Sequence, residues 1–474
     1  MNNQVGKALP WHQRLNMVAK PPVRSHSFSI LSAPKIALTE DTWHSQGGFD
    51  SDESASKGLY SDVMEIGQFF GTLEGISFLK RVLKRITPKY LDPNEQAMLA
   101  SVQSILTEHA LRLDNQGEIN QDKPMGSLAY HSILRREGID MSCNALQKLL
   151  DREVQLLESK VKEAAKRIDP SRHWQEIARD MSQDHPQSKE EVLAAYRAEI
   201  DRAKRFLGKN ALIELPKQDA AVVQTPPGAP RDIPFSICPA TYYHPLRQME
   251  INWSDKEGHK ASVLAAHFKA RIPIIAVHEV YPGHYTAMMA SAPKEQRRLE
   301  KEVGDLSFFG EGWASYAEKL MLEQGFFQKP EERFFVLVQH LKLANRARKS
   351  LLLHSGTDLL DMPENVKAQH IQDGSNLASY YLGMLQIERL RKLVMDTYPK
   401  MTLGEFHNRL IHVPEMPFPQ MAKVAFGINF PALAGEESMR GVGAASYKVG
   451  SAVTDGNGPF ANTEHKRLQA FSRP

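Results

Sequence analysis

The sequence predicts a mainly α-helical protein with a minor extended segment. From residue 60 onward, apolar residues recur at the three- and four-residue spacing of amphipathic helices. Capping residues and glycines mark the ends of several of these stretches. Strand-like sequence is confined to residues 211–255, where prolines and aromatic residues favour extended chain and a short hairpin.

Four stretches carry the helical signals most clearly. Residues 144–169 combine apolar residues at helical spacing with i,i+4 charge pairs on the polar face. Residues 188–208 begin with a capping box and end at a glycine, which is a common helix stop. Residues 330–356 begin with proline in the first turn and also end at a glycine. Thr402 and Glu405 form a further capping box.

The composition is that of an ordinary globular protein. The chain has 474 residues, of which 42% are hydrophobic and 24% charged, and its formal net charge is +3. This charge gives no electrostatic basis for binding nucleic acid or an anionic membrane, so neither is expected as a partner. We expect a poorly ordered N-terminal arm at 1–58 and one helical domain at 59–434. The Gly-, Ala- and Ser-rich residues 435–474 are expected to form a loosely packed tail.

The cysteine content favours a cytoplasmic location. Two cysteines, Cys143 and Cys238, exclude a disulfide framework and an all-thiolate zinc site. No apolar run approaches the roughly 20 residues of a membrane span, and no compact apolar core marks a secretory signal. Residues 1–39 are basic and lack acidic side chains. They resemble a transit peptide in composition or form a loose surface arm, and we prefer the second interpretation.

The stretch HEVYPGH, residues 278–284, resembles a zinc-peptidase motif with two extra residues between its histidines. On a straight helix, six residues would place His284 about 120° around and about 9 Å along from His278. One zinc ion with ligand bonds near 2 Å cannot bridge that separation. The sequence therefore predicts a helix break at Pro282 and Gly283, which would bring His284 back toward His278.

A third metal ligand is expected from another helix, and residues 308–325 offer Glu311 near their start. Two histidines and one glutamate form the ligand set of hydrolytic zinc enzymes, with a fourth position left for water. Glu279 adjoins a ligand without being one, which suits a general base. The spacing alone leaves another interpretation open, since His-Glu and Glu-Gly pairs are common in helices and exposed glutamates usually only solvate a surface.

Together these motifs resemble the bacterial family catalogued as domain of unknown function 885. The matching stretches, in chain order, are TYYHP (241–245), HEVYPGH (278–284), FGEGWASYAE (309–318), SYYLGMLQIERLR (379–391) and LGEFHNRLI (403–411). The resemblance covers roughly residues 60–430. That family is similar to zinc metallopeptidases with a largely helical, cleft-forming fold. It implies Zn²⁺ as cofactor, with His278, His284 and Glu311 as its ligands and Glu279 as the base.

The resemblance also indicates residues around the metal. Tyr380 matches the tyrosine of a Ser-Tyr-x-x-Gly motif and could donate to a reaction oxyanion, or could pack between helices. Arg389 and Arg391 could bind a substrate carboxylate, or could lie on a solvated helix face. Glu318 could orient a ligand histidine or contact a substrate ammonium group.

Three departures from the family pattern limit what can be inferred about the substrate. Tyr285 stands where the family usually has a second histidine, and Ala287 replaces a glutamine. The stretch HSGTD places His354 and Asp358 in the reverse of the family's order. We include Tyr285 and His354 among the candidate substrate-binding residues. All of the inferred metal ligands are retained.

These observations predict a zinc-dependent hydrolase that cleaves an amide or peptide bond, with a peptide or small amide-containing substrate. An alternative keeps the zinc but assigns the site to one small metabolite of a biosynthetic pathway, as a hydrolase or lyase. A second alternative is a non-catalytic helical binding protein. Retention of Glu279 argues against the second alternative, because a structural zinc site has no need of a base.

Overall fold

The computed structural model describes most of the chain between residues 73 and 447. The described residues are 56–57, 60, 73–116, 123–224, 235–238, 248–251, 264–291, 308–357, 359 and 362–447. Most of the predicted N-terminal arm lies outside these ranges. So do the predicted tail beyond residue 447, the TYYHP stretch and Asp358.

Helices dominate the described ranges, which confirms the predicted fold class. The fourteen α-helices found there are α1 (Leu73–Arg85), α2 (Pro93–Gln116), α3 (Ser127–Arg136), α4 (Cys143–Ile168), α5 (Trp174–Met181), α6 (Lys189–Asn210), α7 (Ile272–Glu279), α8 (His284–Ala290), α9 (Phe309–Glu323), α10 (Pro330–His354), α11 (Glu364–Asp373), α12 (Asn376–Thr397), α13 (Leu403–Ile411) and α14 (Phe418–Phe426). Short 3-10 helices span Pro88–Tyr90, Glu436–Met439 and Gly443–Ser446. None of the described helices has the length and apolar character needed to cross a membrane.

A small three-stranded sheet occupies the segment predicted to be extended. Its strands are β1 (Ala221–Gln224), β2 (Phe235–Cys238) and β3 (Gln248–Ile251). The central strand β3 runs parallel to β1 and antiparallel to β2, with Met249 opposite both Val222 and Ile237. The sheet adjoins α6, where Arg197 donates to the carbonyl of Val222 at 3.0 Å.

The predicted helix boundaries hold, apart from one end and one capping contact. The Thr402 capping box is complete at the start of α13. Ser188 accepts from the backbone N–H of Glu191 at 3.2 Å, but the Glu191 carboxylate accepts from the N–H of Gln187, one residue earlier than predicted. Helix α6 also continues past Gly208 to Asn210. The predicted stop is two residues early, because glycine permits a helix end without imposing one.

The core is organised around α10, which packs against α4 on one side and α12 on another, while α9 packs along α12. Helices α9 and α12 touch through glycines. A methyl group added at Gly312 would lie 2.6 Å from the Cα of Gly383, and one added at Gly383 would lie 2.2 Å from the carbonyl oxygen of Phe308. The two backbones are therefore in direct contact, which brings Glu311 on α9 and Tyr380 on α12 to the same part of the molecule.

The loosely packed tail predicted from residue 435 does not describe residues 442–447, most of which are buried. Ala444 and Tyr447 are buried, with 0% and 4% of their surface exposed. The carbonyl of Tyr447 accepts from Lys160 on α4 at 2.6 Å. Small residues here permit close packing: Gly443 has φ +67°, and a methyl group at this position would lie 2.5 Å from the carboxylate of Glu153.

Candidate metal centre

The helix break predicted within HEVYPGH is present. Helix α7 ends at Glu279, Gly283 precedes α8, and His284 is the first residue of α8. The turn is tight, since a methyl group at Gly283 would lie 1.7 Å from the carbonyl oxygen of His278. Trp313 on α9 donates its indole N–H to the carbonyl of Pro282 at 2.9 Å. As a result, the His278 and His284 ring centroids are 4.9 Å apart.

The three predicted metal ligands come together at one point. An oxygen of Glu311 lies 3.5 Å from Nε2 of His278 and 3.3 Å from Nε2 of His284. Ligand atoms of all three residues lie within 4.8 Å of one another. Tetrahedral zinc with bonds of 2.0–2.1 Å places neighbouring ligand atoms roughly 3.3 Å apart. The spacing around Glu311 thus fits a single zinc ion.

The electrostatics at this point favour a positive charge. The Glu311 oxygen that faces both imidazoles is buried and accepts no hydrogen bond, which is costly for an anionic oxygen. Burial opposes the charged forms, but Glu311 raises the pKa of both histidines, and the histidines hold the pKa of Glu311 below its usual range. A cation bound among these three side chains would satisfy the orphaned oxygen.

Glu318 fixes the orientation of His278. One of its oxygens lies 2.6 Å from Nδ1 of His278, and the other lies 3.1 Å from Nε2 of His340 on α10. Burial opposes ionisation of Glu318, but these hydrogen bonds prevail and lower its pKa. An ionised carboxylate only accepts, so Nδ1 of His278 carries a hydrogen. In the neutral imidazole, the lone pair that a metal ligand needs is therefore on Nε2, the nitrogen that faces Glu311.

These contacts bear on the two roles considered for Glu318, which are to orient a ligand histidine and to contact a substrate ammonium group. The side chain is 0% exposed, and both oxygens are engaged by histidines. This enclosure by two imidazoles favours the orienting role, and a contact of Glu318 with substrate stays a prediction. Its position is that of a group that orients a ligand histidine.

Glu279 and Tyr380 lie beside the three converging side chains. Glu279 is buried, and its negative charge contributes to raising the pKa of His278, His284 and Tyr380. The Tyr380 ring stacks on His278 with a centroid separation of 6.2 Å. Burial first, and then the charge of Glu311, raise the pKa of Tyr380. Its phenol therefore stays protonated and can donate a hydrogen bond.

The two candidate arginines are bound to internal partners. Arg389 donates to the amide oxygen of Gln386 and to the carbonyl of Pro431, the latter at 2.8 Å. Arg391 donates to Glu323 at 2.9 Å and to the hydroxyl of Tyr316 at 3.0 Å. Both guanidinium groups thus cross-link α12 to neighbouring parts of the fold, and a contact with substrate stays a prediction.

Tyr285 and His354 are also buried and bonded to the backbone, so a contact with substrate stays a prediction for both. The Tyr285 hydroxyl donates to the carbonyl of Gln218 at 3.0 Å. His354 is 0% exposed, and its Nδ1 accepts from the backbone N–H of Met125 at 3.2 Å. His354 is also 14 residues beyond His340 on α10, or about 21 Å along the helix axis.

Three features of this region escaped the sequence reasoning. His340 shares Glu318 with His278, and no local motif marks it. Gly312 lies in the motif EGW and Gly383 in the motif YLG, so the sequence marks both glycines. It does not show that the two pack against each other. Positive charge near the site comes from Arg346 on α10, which opposes the rise in the pKa of Tyr380 caused mainly by burial.

Comparison with known proteins identifies the family and the fold. The family described as "Bacterial protein of unknown function (DUF885)" matches residues 61–357. Among curated proteins, none matches the chain significantly.

Two solved structures share the fold. The "putative lipoprotein" from Colwellia psychrerythraea is 18% identical with a TM-score of 0.54, and the match covers 79% of this chain and 66% of that chain. A "putative lipoprotein of unknown function" from Shewanella oneidensis is 16% identical with a TM-score of 0.50, covering 80% of this chain and 79% of that one. This chain therefore spans just under two thirds of the Colwellia protein. The family match, which extends over more than half of the sequence and includes all three converging side chains, shows that the chain belongs to the DUF885 family.

Proposed function

We propose that this protein is a zinc-dependent hydrolase that cleaves an amide or peptide bond. The observation that supports this most strongly is the convergence of His278 and His284 on one oxygen of Glu311. That oxygen is buried and accepts no hydrogen bond. The donor set of two imidazoles and one carboxylate suits zinc in hydrolytic enzymes. When bound, zinc supplies a Lewis acid and lowers the pKa of water at its open position to about 7.

In this proposal, three protein side chains have roles in addition to those of the metal ligands. Glu279 takes the proton of the attacking water as general base, since it adjoins the ligands but is not one of the three converging side chains. Tyr380 donates a hydrogen bond to the substrate oxygen on which negative charge develops. The raised pKa of Tyr380, caused mainly by burial, keeps that donor protonated. Glu318 keeps Nε2 of His278 free for the metal.

Two features favour a catalytic over a purely structural metal. Structural zinc sites usually have four protein ligands, whereas this cluster offers three within the described residues. The side chains of Glu311 and His284 are 27% and 19% exposed, so the cluster is open on one side. An open face and a spare ligand position are what a substrate needs. A purely structural zinc site would require neither.

A second candidate keeps the metal and assigns the site to one small metabolite, as a hydrolase or lyase of a biosynthetic pathway. It is favoured by the two departures that immediately follow His284. Tyr285 and Ala287 replace polar residues of the family and are buried, at 0% and 5% exposure. A change in the residues beside the metal ligands, with the ligands themselves kept, suits an enzyme that acts on one particular substrate. The proposed location in either case is the cytoplasm, and the support for it is the low cysteine content of the chain.

The deciding experiment combines metal analysis with substrate profiling. The purified protein, stripped by a chelator and reloaded, should bind about one zinc per chain. Peptide libraries would then be compared with small amides under zinc-loaded and zinc-free conditions. Zinc-dependent cleavage of peptides supports the first candidate, and cleavage restricted to one small amide supports the second. A protein that binds no zinc would overturn both.

A further inference from the structure

A continuous chain of hydrogen bonds leads from His278 to the C-terminal part of the described structure. It passes from Nδ1 of His278 to Glu318, from Glu318 to Nε2 of His340, and from Nδ1 of His340 to the hydroxyl of Tyr447. All four side chains are buried. Tyr447 lies beyond the part of the chain that matches the family, which ends at residue 357.

The geometry of this chain fixes the orientation of each ring in it. Glu318 lies between the two imidazoles, with one oxygen on each. His340 in turn lies between Glu318 and Tyr447, with one ring nitrogen on each. Without the Tyr447 hydroxyl, the His340 ring would lose the contact that fixes its far side. Glu318 would then be held less firmly against His278.

Residues 443–447 are held in place by four charged side chains, of which Glu153, Lys319 and Glu388 are buried. The contacts come from helices α4, α9 and α12 and are Gly443 N–H to Glu388 at 2.6 Å, Ala444 N–H to Glu153 at 2.7 Å, Lys319 Nζ to the carbonyl of Gly443 at 3.0 Å and to Ser446 Oγ at 2.6 Å, and Lys160 Nζ to the carbonyl of Tyr447 at 2.6 Å. Lys319 also lies 4.3 Å from the centre of the Tyr447 ring. These contacts define one position for the Tyr447 hydroxyl.

We propose that residues 443–447 are a positioning element of the metal centre, in which Tyr447 acts through His340 and Glu318 on His278. This inference rests on the proposed zinc site and extends it to a segment that touches neither metal nor substrate. Groups that orient a ligand histidine directly are typically worth 10–100-fold in metal affinity or activity. The contribution should decline with distance from the metal, so Tyr447 is expected to contribute less than Glu318.

The test is the zinc affinity of metal-free full-length protein, measured by competition with a chromogenic chelator. Tyr447→Phe removes one hydroxyl and keeps the ring that Lys319 contacts. We expect it to weaken zinc binding about three- to tenfold, below the range for a direct partner. His340→Gln should weaken it more than Tyr447→Phe does, and Glu318→Gln should weaken it most, by about 10–100-fold.

A matched control separates positioning from a general loss of packing. Tyr130→Phe removes a buried hydroxyl that bonds Ser350 at 3.1 Å, outside the chain of hydrogen bonds. It should retain zinc affinity within twofold of the unmodified protein, even where thermal stability falls.

Three results would count against the inference in different ways. Zinc affinity unchanged by Tyr447→Phe would overturn it while leaving the zinc site intact. An equal loss in the Tyr130→Phe control would also overturn it, because the effect would then be structural. Absence of zinc binding in the unmodified protein would overturn the proposed metal centre, and the inference with it.

Discussion

The two candidate ligand histidines are positioned in different ways. His278 is held by a side chain: Glu318 accepts from its Nδ1, and Tyr380 stacks on its ring. His284 has no such partner among the described residues except Glu311, and its place is set by the backbone turn at Gly283. One ligand is thus oriented through buried polar contacts and the other through local chain geometry. The centre should therefore be sensitive to two unrelated kinds of substitution.

The largest effect is expected from removing the side-chain-held ligand. His278→Ala should abolish zinc binding under conditions in which the unmodified chain is fully loaded, because a site with three protein ligands would keep only two. Metal content after dialysis would be measured by elemental analysis. His131→Ala, on the surface of α3, is the control and should retain its zinc. Full occupancy in His278→Ala would show that the ligand assignment is wrong.

The backbone-held ligand is tested by changing the turn. Replacing both Pro282 and Gly283 by alanine should favour a continuous helix and turn His284 away from His278, since alanine has the highest helix propensity. The added methyl group at residue 283 would also collide with the carbonyl of His278. We expect loss of zinc with unchanged helical content by circular dichroism. Retention of zinc would mean that Trp313 and the surrounding packing maintain the bend.

A smaller effect is expected from a variant that lowers turnover without removing the metal. Glu279→Gln should keep its zinc and lose about 10²–10⁴-fold in turnover, because the amide retains the shape of the side chain without its basicity. Single-turnover kinetics on a verified substrate would measure this. Glu311→Gln is the matched variant and should lose zinc. If Glu279→Gln lost the metal while Glu311→Gln kept it, the two roles would be exchanged.

The smallest effect is expected at Tyr380. Tyr380→Phe keeps the ring that stacks on His278 and removes the proposed oxyanion donor. The turnover number should fall by about 10²-fold, toward the lower end of the range for such donors, with zinc affinity nearly unchanged. Tyr381→Phe, one residue along α12 and bonded instead to Glu153, is the control. Equal turnover in Tyr380→Phe and the unmodified enzyme would assign Tyr380 to packing alone.

Local sequence signals predicted the parts of the site that depend on local geometry. The histidine spacing and the Pro-Gly pair were enough to predict the break between α7 and α8, because dihedral preferences act within a few residues. Helix periodicity likewise predicted the fold class. The grouping of His278, His284 and Glu311 agrees with the structure, whereas zinc itself stays a prediction.

What could not be predicted depends on which helix faces which. Arg389 and Arg391 occur in a matching motif, but the sequence does not reveal that Pro431 and Glu323 bind them. Periodicity identifies the buried face of a helix without identifying its neighbour. Residues 443–447 were misjudged for a related reason: small residues suit both a loose tail and a backbone packed closely against charged side chains.

The contact between Gly312 and Gly383 has a consequence for how the protein could diversify. Helices α9 and α12 meet backbone to backbone at these two glycines, so the closest approach of the helices that carry Glu311 and Tyr380 does not depend on a side chain at those positions. Substitutions elsewhere along these helices can reshape the surroundings of a substrate without changing that spacing. A lineage could thus acquire new substrates by altering neighbouring side chains while the reactive groups keep their separation, and the two glycines would be the positions least open to change.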